Sequence, residues 1–183
     1  MTRSLVFASG LAAILAIVSV DAHTNMAVPV VKFPDGFYNG NSPYGRINSD
    51  KFSSAASIAD YQGVQKIAKV MEGYKTLRQM IMANVALSTI SGHTGNKECG
   101  LTITTGEKQP LPDAIDFPWG HPGPCEVWCD NTRIFYNGDC QGNKVGKVPV
   151  DMAKCKGVNI IQAMYVGVHV SNWEAYGELN IWI

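Results

Sequence analysis

Charge of either sign is scarce in this chain: charged residues make up 16% of 183, with 15 basic residues against 15 acidic ones. That balance leaves no basic footprint for nucleic acid and no polybasic patch for an anionic membrane. After Val20 no apolar run approaches the about 20 residues that a membrane-spanning helix needs. Cys125 and Cys129 have no second pair at metal-ligand spacing, which argues against a zinc site built on cysteine. Internal repeats and low-complexity linkers are missing as well, so one ordinary globular domain is expected.

The first 22 residues do carry information. Arg3 supplies a positive start, Leu5 to Val20 is almost wholly apolar, and Val20-Asp21-Ala22 places small residues three and one before a cut. This predicts a secretory signal peptide over 1–22, a single domain over 23–183, and export to the cell exterior. The apolar run is short for an anchor, and no basic stop-transfer cluster follows it. The processed chain then begins His23-Thr24-Asn25-Met26-Ala27. All five cysteines lie beyond the cut, where an oxidising compartment favours pairing. Two disulfides are expected; the fifth cysteine is free, pairs between molecules, or has lost a partner to truncation after Ile183.

Between Ser53 and Ala86 there is no proline, and Val64, Ile67, Ala68, Met71, Tyr74, Leu77 and Ile81 recur at steps of three and four. This spacing predicts one or two helices over about 53–86. The preceding stretch to Asp50 is rich in Pro, Gly and Asn, which favours turns and a short edge strand. From Leu101 onward, short apolar runs alternate with turn residues: Leu101 to Thr105, Arg133 to Tyr136, Asn159 to Val170 and Glu178 to Ile183. The expected class is therefore mainly β, a sandwich with one helical insertion.

A histidine at the first position of a mature protein offers its α-amine and its imidazole Nδ1 to one metal. With an imidazole from elsewhere, three nitrogens can lie in a plane, an arrangement that suits Cu(II) better than tetrahedral Zn(II). The amine must lose its proton to bind, so copper affinity should fall in mild acid. His93 lies in Ser91-Gly92-His93-Thr94-Gly95-Asn96-Lys97-Glu98-Cys99-Gly100, a glycine-bounded loop that Cys99 could pin by a disulfide. Its rival as second ligand is His121, in the proline-rich Pro118-Trp119-Gly120-His121-Pro122-Gly123-Pro124-Cys125. Near the carboxyl end, Glu174 and Tyr176 stand two apart, so in a strand they share a face, with His169 just across Ser171-Asn172.

A first-position histidine, a Gly-His in a cysteine-bearing loop and a late Glu-x-Tyr strand resemble the lytic polysaccharide monooxygenases. His-Thr-Asn-Met at the start and Ser-Gly-His-Thr-Gly-Asn-Lys-Glu-Cys-Gly most resemble the oomycete secreted family that attacks pectin. The resemblance spans essentially the whole mature chain. It implies an immunoglobulin-like or fibronectin-like sandwich and one copper ion held by His23 and His93, with Tyr176 at the axial position. Glu174 falls where fungal relatives carry glutamine, and His169 resembles their neighbouring histidine. It further implies a monomeric enzyme that takes electrons from an external donor and uses O2 or H2O2 to cleave pectin, with cellulose or chitin less favoured, in attack on the plant cell wall. Lys32, Lys51, Lys97 and Lys144 are candidate partners for galacturonate, and Trp119 and Tyr44 candidate sugar platforms. A non-catalytic copper-binding protein and a carbohydrate-binding effector domain are the alternatives.

Overall fold

The computed structural model describes residues 25–34, 42–105 and 108–181. The expected signal peptide over 1–22 and His23 lie outside these residues. In chain order the described elements are β1 (Gly45–Asn48), α1 (Gly63–Met71), α2 (Leu77–Asn84), β2 (Ala86–Leu87), β3 (Thr89–Ile90), β4 (His93–Thr94), β5 (Ala114–Ile115), β6 (Cys125–Cys129), β7 (Thr132–Asn137), β8 (Val148–Pro149), α3 (Met152–Cys155), β9 (Ile160–Gly167) and β10 (Asn172–Ile181). Short 3-10 turns at Ser49–Lys51, Ser53–Ala55 and Asp60–Gln62 lead into α1.

One antiparallel sheet organises the molecule, in the order β2-β1-β10-β9-β6-β7. Its centre is the long β9–β10 hairpin, which runs in register from Glu174 opposite Gly167 to Ile181 opposite Ile160. Both faces of β9 are covered. Ile161, Ala163 and Tyr165 point into one apolar cluster, while Met164 and Val166 point into the other. Alternation across the pleat thus carries apolar residues on both sides, as a strand buried on two faces requires.

The helices cover one face. Ile67 and Val70 of α1 and Leu77, Met80 and Ile81 of α2 are buried with Ile47, Trp173 and Ala175 of the sheet. Two helices do occupy the proline-free stretch, parted by Glu72 to Thr76. Capping starts α2: Thr76 accepts the Gln79 N–H at 3.0 Å, and the Gln79 side chain accepts the Lys75 N–H at 2.9 Å. The next two donors, the N–H groups of Leu77 and Arg78, go to the Glu126 carboxylate of β6 at 2.9 and 3.0 Å. The helix is thereby fastened to the sheet through its positive end.

The opposite face is covered by loops and the two-stranded β5–β8 ribbon, around Phe117, Trp119, Tyr165 and Tyr176. The protein is mainly β around a large antiparallel sheet. A second large sheet is not formed among the described residues, because the β5–β8 pairing is two residues long. Leu101 to Thr105 is likewise not a strand: Thr102 folds back on the Cys99 carbonyl, and the Ile103 N–H goes to Lys32. The segment near Gly45 forms a strand as expected, but one inside the sheet, between β2 and β10.

Two disulfides form, Cys125–Cys140 and Cys129–Cys155, one from each end of β6. Cys99 is the free cysteine and is buried. No helix among the described residues is long and apolar enough to cross a membrane.

Lys66 is the buried cation of α1, 2.6 Å from Asp60 and 3.6 Å from Asp50. The hydrogen bond to Asp60 raises its ammonium above the ordinary 10.5, outweighing burial, which acts downward. A base raised on folding adds stability that is complete below its unfolded value and is lost as pH climbs through the folded one. Asp60→Asn should therefore lower the unfolding free energy at pH 7, with the gap from the parent shrinking above about pH 10.5. Urea titrations of both proteins at pH 7 and 11 check this; an equal gap at the two values would refute it.

Candidate metal centre

His121 is placed by a loop with little freedom. The Pro122 and Pro124 carbonyls accept the Val168 and Val166 N–H groups at 2.9 and 3.1 Å, extending β9 outward. The Gly123 N–H donates to Asp139, the Gly123 carbonyl accepts from Cys140, and the Cys125–Cys140 disulfide closes the base. Gly167 leaves the room: a Cβ there would lie 3.1 Å from the His121 Cβ. The imidazole therefore lies over the end of β9, buried, on the face that Glu174 and Tyr176 share.

Glu174 and Tyr176 come from β10, two residues apart as the strand period demands. The Tyr176 ring stacks on Tyr165 across the sheet, with centroids 4.3 Å apart and planes at 6°. Its hydroxyl donates to Glu174 Oε2 at 2.8 Å. Burial, then Tyr165 and Glu174, push the phenol far above the usual tyrosine range, so it stays protonated and keeps donating. The same Glu174 oxygen is 3.5 Å from His121 Nε2 and 3.6 Å from His169 Nε2. Arg46 of β1, directly across the register from Glu174, places Nη1 2.7 Å from the other oxygen.

His169 sits on the exposed bend between β9 and β10, its side chain 33% exposed, and its ring stacks on His121 at 3.8 Å with planes at 17°. His121, His169 and Glu174 together could hold a metal ion, since each offers a ligand atom and these atoms lie within 4.8 Å of one another. The stacking limits how. Metal–imidazole bonds are about 2.0–2.1 Å long and follow the in-plane lone pair. Two nearly parallel rings point their lone pairs side by side, so one must turn before both could reach the same ion.

The structure sets His93 apart from this group. It lies half-buried on β4, paired with Ile90, and lines a groove of about 340 Å³ with Pro34, Asn96, Leu101 and Thr102. Cys99 does not pin that loop through a disulfide; Asn96 holds it instead, accepting the Glu98 and Cys99 N–H groups and donating to the Cys99 sulfur. The loop tied by a disulfide is the His121 loop. Proline-rich sequence with a cysteine at its end was the available signal for it.

Trp119 and Tyr44 are core residues, the first stacked on Phe117 and the second packed under Gly177. Of the four lysines, Lys51 and Lys97 donate to the carbonyls of Asn84 and Met82. Arg46 also borders the site, and no apolar period singles it out, because it is not in the core.

On the far side of Tyr176, buried Glu178 accepts the Met26 N–H at 2.6 Å. Burial pushes its carboxyl up to about 8, partly countered by that N–H. Met26 is thus fixed two residues along β10 from Tyr176, on the same face.

No protein-family model matches the chain, and no curated protein matches it either.

Proposed function

We propose that the protein is a secreted, copper-dependent polysaccharide monooxygenase acting on plant cell-wall polysaccharide, with pectin as its substrate. Its copper would be held by His23, through amine and imidazole, and by His121 rather than His93, with Tyr176 beside it. In this reading β5–β8 is the reduced second layer of an immunoglobulin-like sandwich, and the enzyme works as a monomer outside the cell.

One observation carries the proposal: a buried imidazole, a buried tyrosine and a buried carboxylate converge at the end of the β9–β10 hairpin, on the face where Met26 is anchored. From Met26, three residues reach back to His23, a span of up to about 10 Å. Tyr176 lies two strand residues from Glu178, about 7 Å. A chain starting at His23 would thus be long enough for its amine to approach Tyr176. The donors are nitrogen and oxygen without thiolate, which suits Cu(II). In this reading His121, the buried ring of the stacked pair, would take the metal and the more exposed His169 would stay beside it.

Copper held in this way supplies the one-electron chemistry by which O2 or H2O2, with an external electron donor, oxidises a sugar C–H bond. The chain's own residues do the rest. His121 fixes the position of the centre through its tied loop. Tyr176 keeps its proton by donating to Glu174, so it presents a neutral oxygen. Glu174, clamped by Arg46 and Tyr176, and His169, open to solvent, are the polar groups beside the position where the oxidant and the sugar meet.

The test joins three measurements on the exported protein. Its first residue should be His23, its Cu(II) spin resonance spectrum should show three nitrogens, and homogalacturonan with reductant should yield oxidised oligogalacturonides. A chain starting elsewhere would dismantle the centre. Tight copper binding without oxidised products would make the protein a copper carrier, and oxidised products from cellulose alone would overturn pectin.

A further inference from the structure

Arg46 has a chemistry that the metal centre does not use up. Its Nη1 makes two contacts, the 2.7 Å pair with Glu174 and a 3.4 Å bond to the Asn172 carbonyl. The opposite edge of the guanidinium, Nε and Nη2, has no partner among the described residues. The side chain is 40% exposed, while Glu174 beneath it is 7% exposed. A planar cation is thus held by one edge against the wall of the site and presents the other edge to solvent.

That outward edge has the two parallel donors that match a carboxylate in side-on geometry. The anchoring by Glu174 and the β1–β10 pairing reduces the rotamer entropy that an exposed arginine would lose on binding an anion. Lys51 and Lys97, by contrast, are committed to backbone carbonyls. We infer that Arg46 is a specificity residue, which clamps the carboxylate of an acidic sugar beside the metal centre. The inference rests on the reading of this site as the place where a polysaccharide docks, and it names what that polysaccharide must carry: a free uronate carboxylate. Methyl esterification removes the charge and one acceptor, and a neutral glucan has neither.

The experiment is a calorimetric titration of the mature protein, without reductant, with tetragalacturonate, its fully methyl-esterified form and cellotetraose. Tetragalacturonate should bind about tenfold or more tighter than either, with the gap narrowing as salt is raised. Arg46→Gln should erase that preference. Arg46→Lys keeps a charge for Glu174 but loses the two-donor edge; it should leave the Cu(II) spectrum unchanged and lose most of the preference. Equal binding of the three ligands by the parent, or a preference that survives both substitutions, overturns the inference. An Arg46-dependent preference in a protein that releases no oxidised products would sustain it while removing the monooxygenase reading.

Discussion

Replacing His121 with alanine should lower Cu(II) affinity by at least about 100-fold, more than the 10–100-fold typical when a group behind a ligand is lost. His93→Ala should leave affinity unchanged. The two imidazoles differ in what holds them. His121 is buried on a loop fastened to β9 by two backbone hydrogen bonds and closed by a disulfide. His93 stands on a two-residue strand over an open groove, apart from the carboxylate and phenol. The copper spectrum of His121→Ala should lose one nitrogen. Retention of tight binding by His121→Ala together with its loss in His93→Ala would reverse the assignment.

The second large effect concerns stability. Glu126→Ala should cost about 3–5 kcal/mol, the range for breaking a buried ionic network by removing one partner, or a drop of about 10 °C in Tm. The carboxylate is fully buried and accepts from the N–H groups of Leu77 and Arg78, from Trp128 Nε1 at 3.0 Å and from Arg133 Nη1 at 2.7 Å. Its removal strands two helix-end donors and an indole N–H away from water. Arg133, with its side chain 36% exposed, can turn to solvent, so Arg133→Ala should cost less. Denaturant unfolding of both variants decides the matter; a loss below about 1 kcal/mol for Glu126→Ala would mean that water fills the role.

Periodicity made the helical insertion and strand β9 readable in advance, because burial of a face imposes a repeat on the residues that form it, whereas β10, expected only from Glu178, starts at Asn172 and pairs with β9. Ile67, Leu77 and Ile81 show this in the helices; Ile161, Ala163 and Tyr165 show it in the strand. The Glu174 and Tyr176 pair was legible for the same reason. Which histidine joins them was not. That choice depends on Pro122 and Pro124 pairing with Val166 and Val168 some 40 residues later, a long-range contact without local pattern. Arg46 stayed hidden because an exposed cation in a turn-rich segment looks like any solvated residue until Glu174 is placed across from it. Leu101 to Thr105 had the composition of a strand but found no partner strand, and burial of its start against Tyr44 and the helices took precedence.

Cys99 carries a consequence for assembly. A chain with five cysteines can mispair, and an odd thiol is the natural agent of reshuffling, since exchange begins with attack by a thiolate. Here desolvation drives the Cys99 thiol upward, against the Asn96 hydrogen bond that pulls the other way. Once the loop has closed, the nucleophile is both protonated and screened, and the two bridges of β6 are shielded from exchange. The hazard is thereby confined to the interval before folding, when speed of burial decides whether the bridges form correctly.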